Sequence, residues 1–423
     1  MMGKFVRICC VVGALIVAWT TLAGATVLED FTTALKSGTA DLSVLASYEY
    51  KNRDDATSPG KQFSLRTRLG YRTAAFYDVE LYAQFHNLTN VQEDFRFLGG
   101  GDADRDIIAD PDGNRLYKAF LDYKGIPDTL IRVGRQEIIL DDARLLGNIG
   151  WRLNGQSFDA VSATNTSVKN LKIYAGYANQ VNSIFLTNVD LDHFYLFNAK
   201  YSPLKNHSIS VYTYLLDTEA TADAARDCAT YGFRFVGKPA PFNYYIDYTH
   251  QSDFADGEDH DADMLNVFVG GKIANKVNLG GGYSYISGQD GSDRPFDTLF
   301  STAHKFNGFA DVFLATNGGA LISGLQDYYI NASTKFAGFK FVAVYHYFDS
   351  LEDGSYMNGN VNTKIFDGTY GDEIDLVLIK PINKNIKLLI KYANFMQDDK
   401  TSNGTANPTV DTEILTTRLE YKF

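Results

Sequence analysis

The amino-acid sequence predicts an all-β fold, a single antiparallel β-barrel of 18 strands that crosses a membrane. Three observations predict this fold. Apolar and polar residues alternate along segments of strand length, short and long connections between these segments alternate along the chain, and all nine prolines fall in the connections or at the first position of a strand. Because proline cannot donate to a sheet ladder and a closed barrel has no edge strand, its exclusion from the strands favours a closed sheet.

The last segment, residues 413–423, has the clearest alternation. Leu415, Leu419 and Phe423 fall on one face of an extended strand, and Arg418 and Glu420 fall on the other. A strand of this kind is in contact with two different solvents, as a wall between lipid and a wet interior must be.

The same alternation recurs in seventeen earlier segments. An even number of strands is typical of single-chain bacterial barrels, and strands of about 10 residues span the hydrocarbon layer when they are tilted. The predicted strands are residues 41–51, 62–72, 76–87, 115–124, 129–137, 155–164, 169–178, 193–202, 206–216, 228–238, 241–251, 263–273, 276–287, 326–336, 339–349, 370–380, 384–396 and 411–423.

The connections between these strands predict which end of the barrel faces which compartment. Nine long connections alternate with eight short ones, and the longest cover residues 88–114 and 288–325. Outer-membrane barrels have short periplasmic turns and long extracellular loops. We therefore expect the short connections on the periplasmic side.

The amino-terminal residues predict secretion. Lys4 and Arg7 precede a short apolar run, and Ala23-Gly24-Ala25 supplies small residues for cleavage, so residues 1–25 are interpreted as a signal peptide. Residues 26–40 would form a short periplasmic segment, either a helix or a frayed leader, and residues 41–423 the transmembrane barrel.

The composition and the motifs exclude several functions. A net charge of −12 excludes a nucleic-acid binder, and Cys228 alone remains after cleavage. No hydrolase elbow, zinc-protease pair or phosphate loop occurs, so we predict neither an enzyme nor a cofactor. The acidic loops at residues 102–106 and 253–263 do not fit a calcium-binding loop, and no metal site is assigned; whether these loops bind divalent cations is left open.

Charged residues within the strands are predicted to face the interior, because a charge facing lipid at the midplane costs about 2–4 kcal/mol. For any one of them, the alternative is simple pairing with an opposite charge on a neighbouring strand. The predicted pore-lining and selectivity residues are Arg66, Arg68, Arg132, Arg135, Asp142, Arg144, Arg152, Asp159, Arg234 and Arg418.

The segment from Arg132 to Asp159 carries the strongest functional pattern. Four of the predicted arginines lie in or beside its long loop, which would narrow a pore with positive charge if it folded inward. Its order of Gly-Arg-Gln, an acid and an arginine, Trp151 and then Phe-Asp resembles the alginate-export family of outer-membrane porins. A second segment, with His304, Gly308 and Asp311, is similar to another part of that family.

The resemblance implies an 18-stranded barrel in the outer membrane of a Gram-negative bacterium that acts as a passive, selective pore. In family members that export alginate, a lumen rich in arginine and lysine guides the polyuronate. We carry that role to Arg132, Arg135, Arg144 and Arg152, with Asp142 and Asp159 as their pairing partners. The interior also holds acids such as Asp122 and Asp247, so the solute stays open between an acidic polysaccharide and general nutrients or ions. A structural, adhesive or hydrolytic protein is the remaining alternative.

The predicted partners follow from this interpretation. They are outer-membrane lipid and lipopolysaccharide, a polar or anionic solute, and the barrel-assembly machinery, which would recognise the terminal Phe423. A monomer is favoured.

Overall fold

The computed structural model describes residues 25–97, 99–219, 226–273, 276–290, 293–314, 320–351, 355–358, 361–398 and 404–423. The predicted signal peptide lies outside these residues, except for Ala25 itself. In the described ranges, no helix is both long enough and apolar enough to cross a membrane.

Eighteen strands form one closed antiparallel sheet, which confirms the predicted fold class. Each strand pairs with its neighbours in sequence, and β1 also pairs with β18 over the register from Ser43↔Lys422 to Arg53↔Thr412. The strands are β1 Thr39–Arg53, β2 Gly60–Arg72, β3 Val79–Asp94, β4 Gly113–Ile126, β5 Thr129–Gln136, β6 Ser157–Asn165, β7 Leu171–Asn182, β8 Asn188–Tyr201, β9 His207–Thr218, β10 Cys228–Gly237, β11 Phe242–Asp253, β12 Asp261–Ile273, β13 Val277–Ile286, β14 Leu325–Phe336, β15 Phe339–Asp349, β16 Thr369–Pro381, β17 Ile386–Gln397 and β18 Thr412–Lys422.

Each predicted strand coincides with an observed one, and the differences lie at the ends. Strand β3 begins at Val79 instead of residue 76, because Tyr77 and Asp78 have positive φ angles and form the preceding turn. Asp78 is therefore an exposed turn residue, although the alternation had placed it in the interior.

The two faces of the wall differ as the alternation predicts. On β14, Ile330 is 64% exposed on the outer face, whereas Asp327 on the opposite face is fully buried. Exposed apolar side chains recur along the outer face, for example at Val269 and Leu376. This is the arrangement of a barrel that is surrounded by lipid and has a polar interior.

Helix α1, Ala25–Lys36, contacts the short connection between β2 and β3. The Ala74 N–H donates to the Ala34 carbonyl over 3.0 Å, and the rings of Phe31 and Phe76 lie edge to face at 5.5 Å. Within the predicted segment 26–40, the structure has a helix over its first part, whereas residues 39–40 already belong to β1.

We expect Phe31→Ala to weaken this contact by about 1 kcal/mol, the contribution of an edge-to-face aromatic pair. Amide hydrogen exchange in α1 should then become several-fold faster. The control is Leu28→Ala, because Leu28 is 59% exposed on the same helix and its removal should leave exchange unchanged. Equal effects of the two variants would contradict the assigned contact.

The described parts of two long connections, residues 137–156 and residues 287–290, 293–314 and 320–324, fold into the barrel, and we call them the interior loops. They pair through their main chains: the Gly147 N–H donates to the Phe300 carbonyl over 3.0 Å, and the Thr302 N–H to the Ala143 carbonyl over 2.9 Å. Phe300 contacts Phe158 on β6 and Phe194 on β8 with ring centroids within 6 Å.

The second interior loop also reaches the opposite side of the wall. Phe313 is fully buried and contacts Phe348 on β15, Tyr370 on β16 and Phe395 on β17. The interior loops therefore cross the lumen.

Further short elements occur in the connections. They are the two-stranded pairs Arg96–Phe97 with Gly100–Gly101 and Ser355–Asn358 with Val361–Lys364, and the 3-10 helices Ala303–Lys305 and Ala320–Ser323.

Candidate functional site

Arg152, in the first interior loop, lies at the centre of a buried ionic cluster. Its guanidinium donates to Glu49 on β1 over 2.9 Å and to Asp311 of the second interior loop over 3.0 Å. Asp110, from the long connection between β3 and β4, lies 3.4 Å away. One arginine thus ties both interior loops to the wall and to a third loop.

The electrostatics of this cluster follow from its burial and its charges. Although burial alone would lower the pKa of Arg152, the carboxylates of Glu49, Asp110 and Asp311 raise it well above its usual value. Burial raises the pKa of Asp110. Burial would also raise the pKa of Asp311, but His304 and Arg152 outweigh it and hold that pKa below its usual range.

His304 extends the cluster to the far wall. Its Nδ1 lies 2.5 Å from Asp311 Oδ1, and its Nε2 lies 2.7 Å from the Lys391 ammonium on β17. An ammonium can only donate, so Nε2 accepts and Nδ1 carries the proton given to Asp311. Burial lowers the pKa of His304 to about 4, which is consistent with this neutral ring.

Trp151 packs against the same groups. Its ring stacks on His304 at 4.4 Å between centroids, and the Lys391 ammonium and the Arg418 guanidinium lie 3.6 and 3.8 Å from its centre. Arg418 also donates to the Trp151 carbonyl over 2.6 Å. Three cationic or aromatic side chains therefore hold one loop tryptophan in place.

Two further predicted residues bind the first interior loop to other strands. Arg68 on β2 donates to the carbonyls of Leu153 and Asn154, over 3.2 and 2.9 Å. Arg234 on β10 lies 2.8 Å from Asp142 of the loop and 2.7 Å from Asp247 on β11. These two arginines fix the loop at opposite sides of the barrel.

Arg144 differs from these arginines. Its guanidinium lies 3.9 Å from the centre of the Phe306 ring, and its side chain is 7% exposed. Among the residues that the structure describes, no carboxylate pairs with it, and its Nε has no hydrogen-bond partner.

The remaining predicted residues lie away from the interior loops. Arg66 on β2 lies 3.4 Å from Glu420 on β18, and Arg132 on β5 forms a bidentate pair with Asp122 on β4 at 2.6 and 2.9 Å. Both arginines pair with an opposite charge within the wall, which was the alternative to a selectivity role for any single charged residue.

Arg135 and Asp159 also form a bidentate pair, at 2.8 and 2.9 Å. They are opposed in register across β5 and β6, and Asp159 alternates with Val161, which is 44% exposed on the outer face. This pair is buried on the outer side of the wall, so it does not line the lumen, and the prediction of a pore-lining role for these two residues is wrong.

Glu49, Asp110, His304 and Asp311 were not among the site residues predicted from the sequence. His304 and Asp311 stand in the second segment that resembles the family, and this was the signal available for them. Glu49 and Asp110 had no such signal, because only the folding back of the loops brings them to Arg152.

Two separate cavities lie between the interior loops and the end of the barrel that carries the short connections. The first, of about 460 Å³, is bordered by strands between β8 and β15, and five basic and two acidic side chains line it. The second, of about 510 Å³, is bordered by β17, β18 and β1–β4, with six basic and three acidic side chains. They share no lining residue, and basic groups are in excess in both.

The comparison with protein families gives a direct assignment. The model of the family described as alginate export matches residues 42–407 of the sequence. The chain belongs to the alginate export family. It is an outer-membrane porin, a barrel through which polar or anionic solutes diffuse.

Solved structures agree with this family's fold. Pseudomonas aeruginosa OpdO matches with a TM-score of 0.67 and 12% identity, over 93% of this chain and 99% of that one. OpdK of the same organism, solved with vanillate, matches with a TM-score of 0.67 and 13% identity, over 92% of this chain and 99% of that one. Acinetobacter baumannii OccAB4 matches with a TM-score of 0.65 and 13% identity, over 92% of this chain and 98% of that one. At these identities the likeness establishes the fold alone. No curated protein matches the sequence significantly.

Proposed function

We propose that this alginate-export-family porin conducts anionic solutes selectively and passively, and that the interior loops form its constriction. The observation that carries the proposal is the excess of basic side chains in both cavities below the loops. Fixed positive charge along a narrow path replaces part of the hydration of an anion and repels cations. Diffusion down a gradient requires no cofactor or energy source, and we assign no catalytic role.

Of the predicted selectivity residues, the proposal retains those on the lumen side. Arg144 and Arg234 line the first cavity, and Arg66, Arg68 and Arg418 line the second. Arg152 acts by holding the constriction in place, since its guanidinium is occupied by carboxylates. The Arg135–Asp159 pair is left out because of its place in the outer wall.

A general nutrient or ion porin is the second candidate. The wall also carries acidic groups, such as Glu80 and Asp122, which pair with Arg72 and would reduce the net field. We further propose that the terminal Phe423 serves recognition by the barrel-assembly machinery and that the porin works as a monomer in contact with lipopolysaccharide.

Reversal potentials in planar bilayers under a potassium chloride gradient test the main proposal. We expect a chloride preference in the wild type. The double variant Lys200→Gln/Lys238→Gln removes two basic groups from the first cavity and should move the reversal potential toward zero.

The matched control is Lys169→Gln/Lys384→Gln, which removes the same charge from exposed short connections outside both cavities. Its reversal potential should equal that of the wild type. A wild-type pore without anion preference would exclude the selective porin and favour the general one.

A further inference from the structure

We infer that the first cavity is a binding site for a small organic anion that carries an apolar ring, with Arg144 as its anchor. The inference rests on the proposed anion-selective pore and names the solute class that the pore would take. The proposed solute is a small ring compound and not the polyuronate chain that the family resemblance implied.

Three basic side chains of the first cavity have no carboxylate partner among the described residues. Arg144 is buried, its Nε has no partner, and no carboxylate among the described residues pairs with it. Lys200 and Lys238 line the same cavity, also without a described acidic partner. A buried guanidinium without a counter-charge is costly, and an anionic ligand would supply that charge.

Among the described residues, neither acid that lines the cavity forms an ion pair with Arg144, Lys200 or Lys238. Asp141 accepts hydrogen bonds from Asn198 and Ser210, at 2.7 and 2.6 Å, and Asp142 is paired with Arg234. The five basic side chains exceed the two acidic ones, so the cavity offers a net positive charge to a solute.

In the second cavity, more of the basic groups lie close to carboxylates. There Glu420 lies within 3.4 Å of basic groups on Arg66, Lys387 and Lys422, and Lys118 pairs with Glu137 at 3.1 Å. Arg66 Nε and Arg418 Nη2 also lack hydrogen-bond partners there, but Trp151 and Phe423 are the aromatic side chains that line the second cavity. We assign the binding site to the first cavity because its row of rings adds an apolar surface to the positive charge.

A row of three aromatic rings in the first cavity offers a surface for the apolar part of the ligand. Tyr245, Phe268 and Tyr329 stand side by side on β11, β12 and β14, with successive ring centroids 5.5 and 6.2 Å apart and planes within 17°. Phe306 and Phe309 close the cavity from the second interior loop. Aromatic walls favour an apolar ring, and the neighbouring guanidinium favours its anionic substituent.

The size of the site suits a small molecule. A volume of about 460 Å³ is in the range of sites for small molecules. The interior loops bound the cavity on one side through the segment from Asp141 to Arg144 and through Lys305 to Phe309. A chain of linked uronic acids would have to displace this part of the loops.

The test measures block of single-channel current by three probes on the full-length porin: benzoate, acetate and a linear uronic-acid trimer. We expect benzoate to block at concentrations about tenfold or more below those of the other two, since it alone uses both the charge and the rings. Arg144→Gln should weaken the benzoate block about tenfold, the usual effect of losing a charged hydrogen bond.

Arg144→Lys and Lys169→Gln complete the design. The lysine variant keeps the charge without the planar donor pair and should give an intermediate block, which separates loss of charge from misfolding. Lys169→Gln removes an exposed charge at the same end and should behave as the wild type.

The outcomes separate the two proposals. A wild-type pore without chloride preference would refute the proposed function. A chloride-selective pore in which benzoate and acetate block alike, or in which Arg144→Gln leaves the benzoate block unchanged, would refute this inference alone. Tighter block by the trimer than by benzoate would overturn it in favour of the polyuronate.

Discussion

Replacement of Arg152 by methionine is expected to cost about 3–5 kcal/mol of the free energy that holds the interior loops in place, the usual cost of breaking a buried ion pair. Glu49, Asp110 and Asp311 would be left as three buried carboxylates without their shared cation. The loops should then detach from β1, and single-channel conductance should rise.

The free energy of loop opening can be measured by native-state hydrogen exchange, alongside conductance in bilayers. Arg53→Met is the matched control, because Arg53 pairs with Asp55 at 2.9 Å and both side chains are at least one-third exposed. Exposed pairs contribute about 1 kcal/mol at most, so this variant should keep the wild-type conductance. Unchanged loop opening in Arg152→Met would refute the central role of the cluster.

Acidification from about pH 6.5 to pH 4 is expected to weaken docking of the interior loops by about 3 kcal/mol through His304 alone. Burial lowers the pKa of this histidine to about 4. Once the loop detaches, the ring regains an ordinary pKa and binds a proton below pH 6.5. Docking is therefore favoured fully above pH 6.5 and loses free energy as the pH falls to 4.

The neighbouring charges agree with this direction. A proton on Nε2 would replace the hydrogen bond from Lys391 with a contact between two cations, 2.7 Å apart. Asp311, whose pKa is held low by His304 and Arg152, adds a second loss as the pH falls below its ordinary value of 3.8.

His304→Gln is the control for the pH effect. A glutamine can donate to Asp311 and accept from Lys391, as the neutral histidine does, but it does not titrate. Conductance and the hydrogen-exchange protection of residues 303–311, taken relative to the intrinsic exchange rate at each pH, should depend on pH between 6.5 and 4 in the wild type and much less in this variant. The same dependence in both proteins would exclude His304 as its source.

The sequence predicted the barrel because its information there is local. A period of two along each strand separates a lipid face from an interior face, and this placed Arg132 on the interior face without any knowledge of its neighbours. The same rule does not apply to residue 78, because a turn with positive φ interrupts the strand there.

The interior could be predicted only in part. The loop rich in arginine was expected to fold inward, but the partners of Arg152 come from β1 and from two other loops, and Glu49 is 103 residues away along the chain. Alternation assigns a side chain to a face only within a strand, so it gives no partner for a loop residue. Arg135 and Asp159 pair as neighbours on adjacent strands, yet on the outer side of the wall.

The two interior loops are held in two different ways, and this has a consequence for how such porins diversify. They bind each other through main-chain hydrogen bonds, as between Gly147 and Phe300, whereas they bind the wall through wall side chains such as Glu49, Arg234 and Arg418. Main-chain pairing tolerates most substitutions. Point mutations on the strands can therefore alter which solutes pass, while the hydrogen bonds between the two loops are retained. Related barrels can then acquire new solute selectivity through single substitutions.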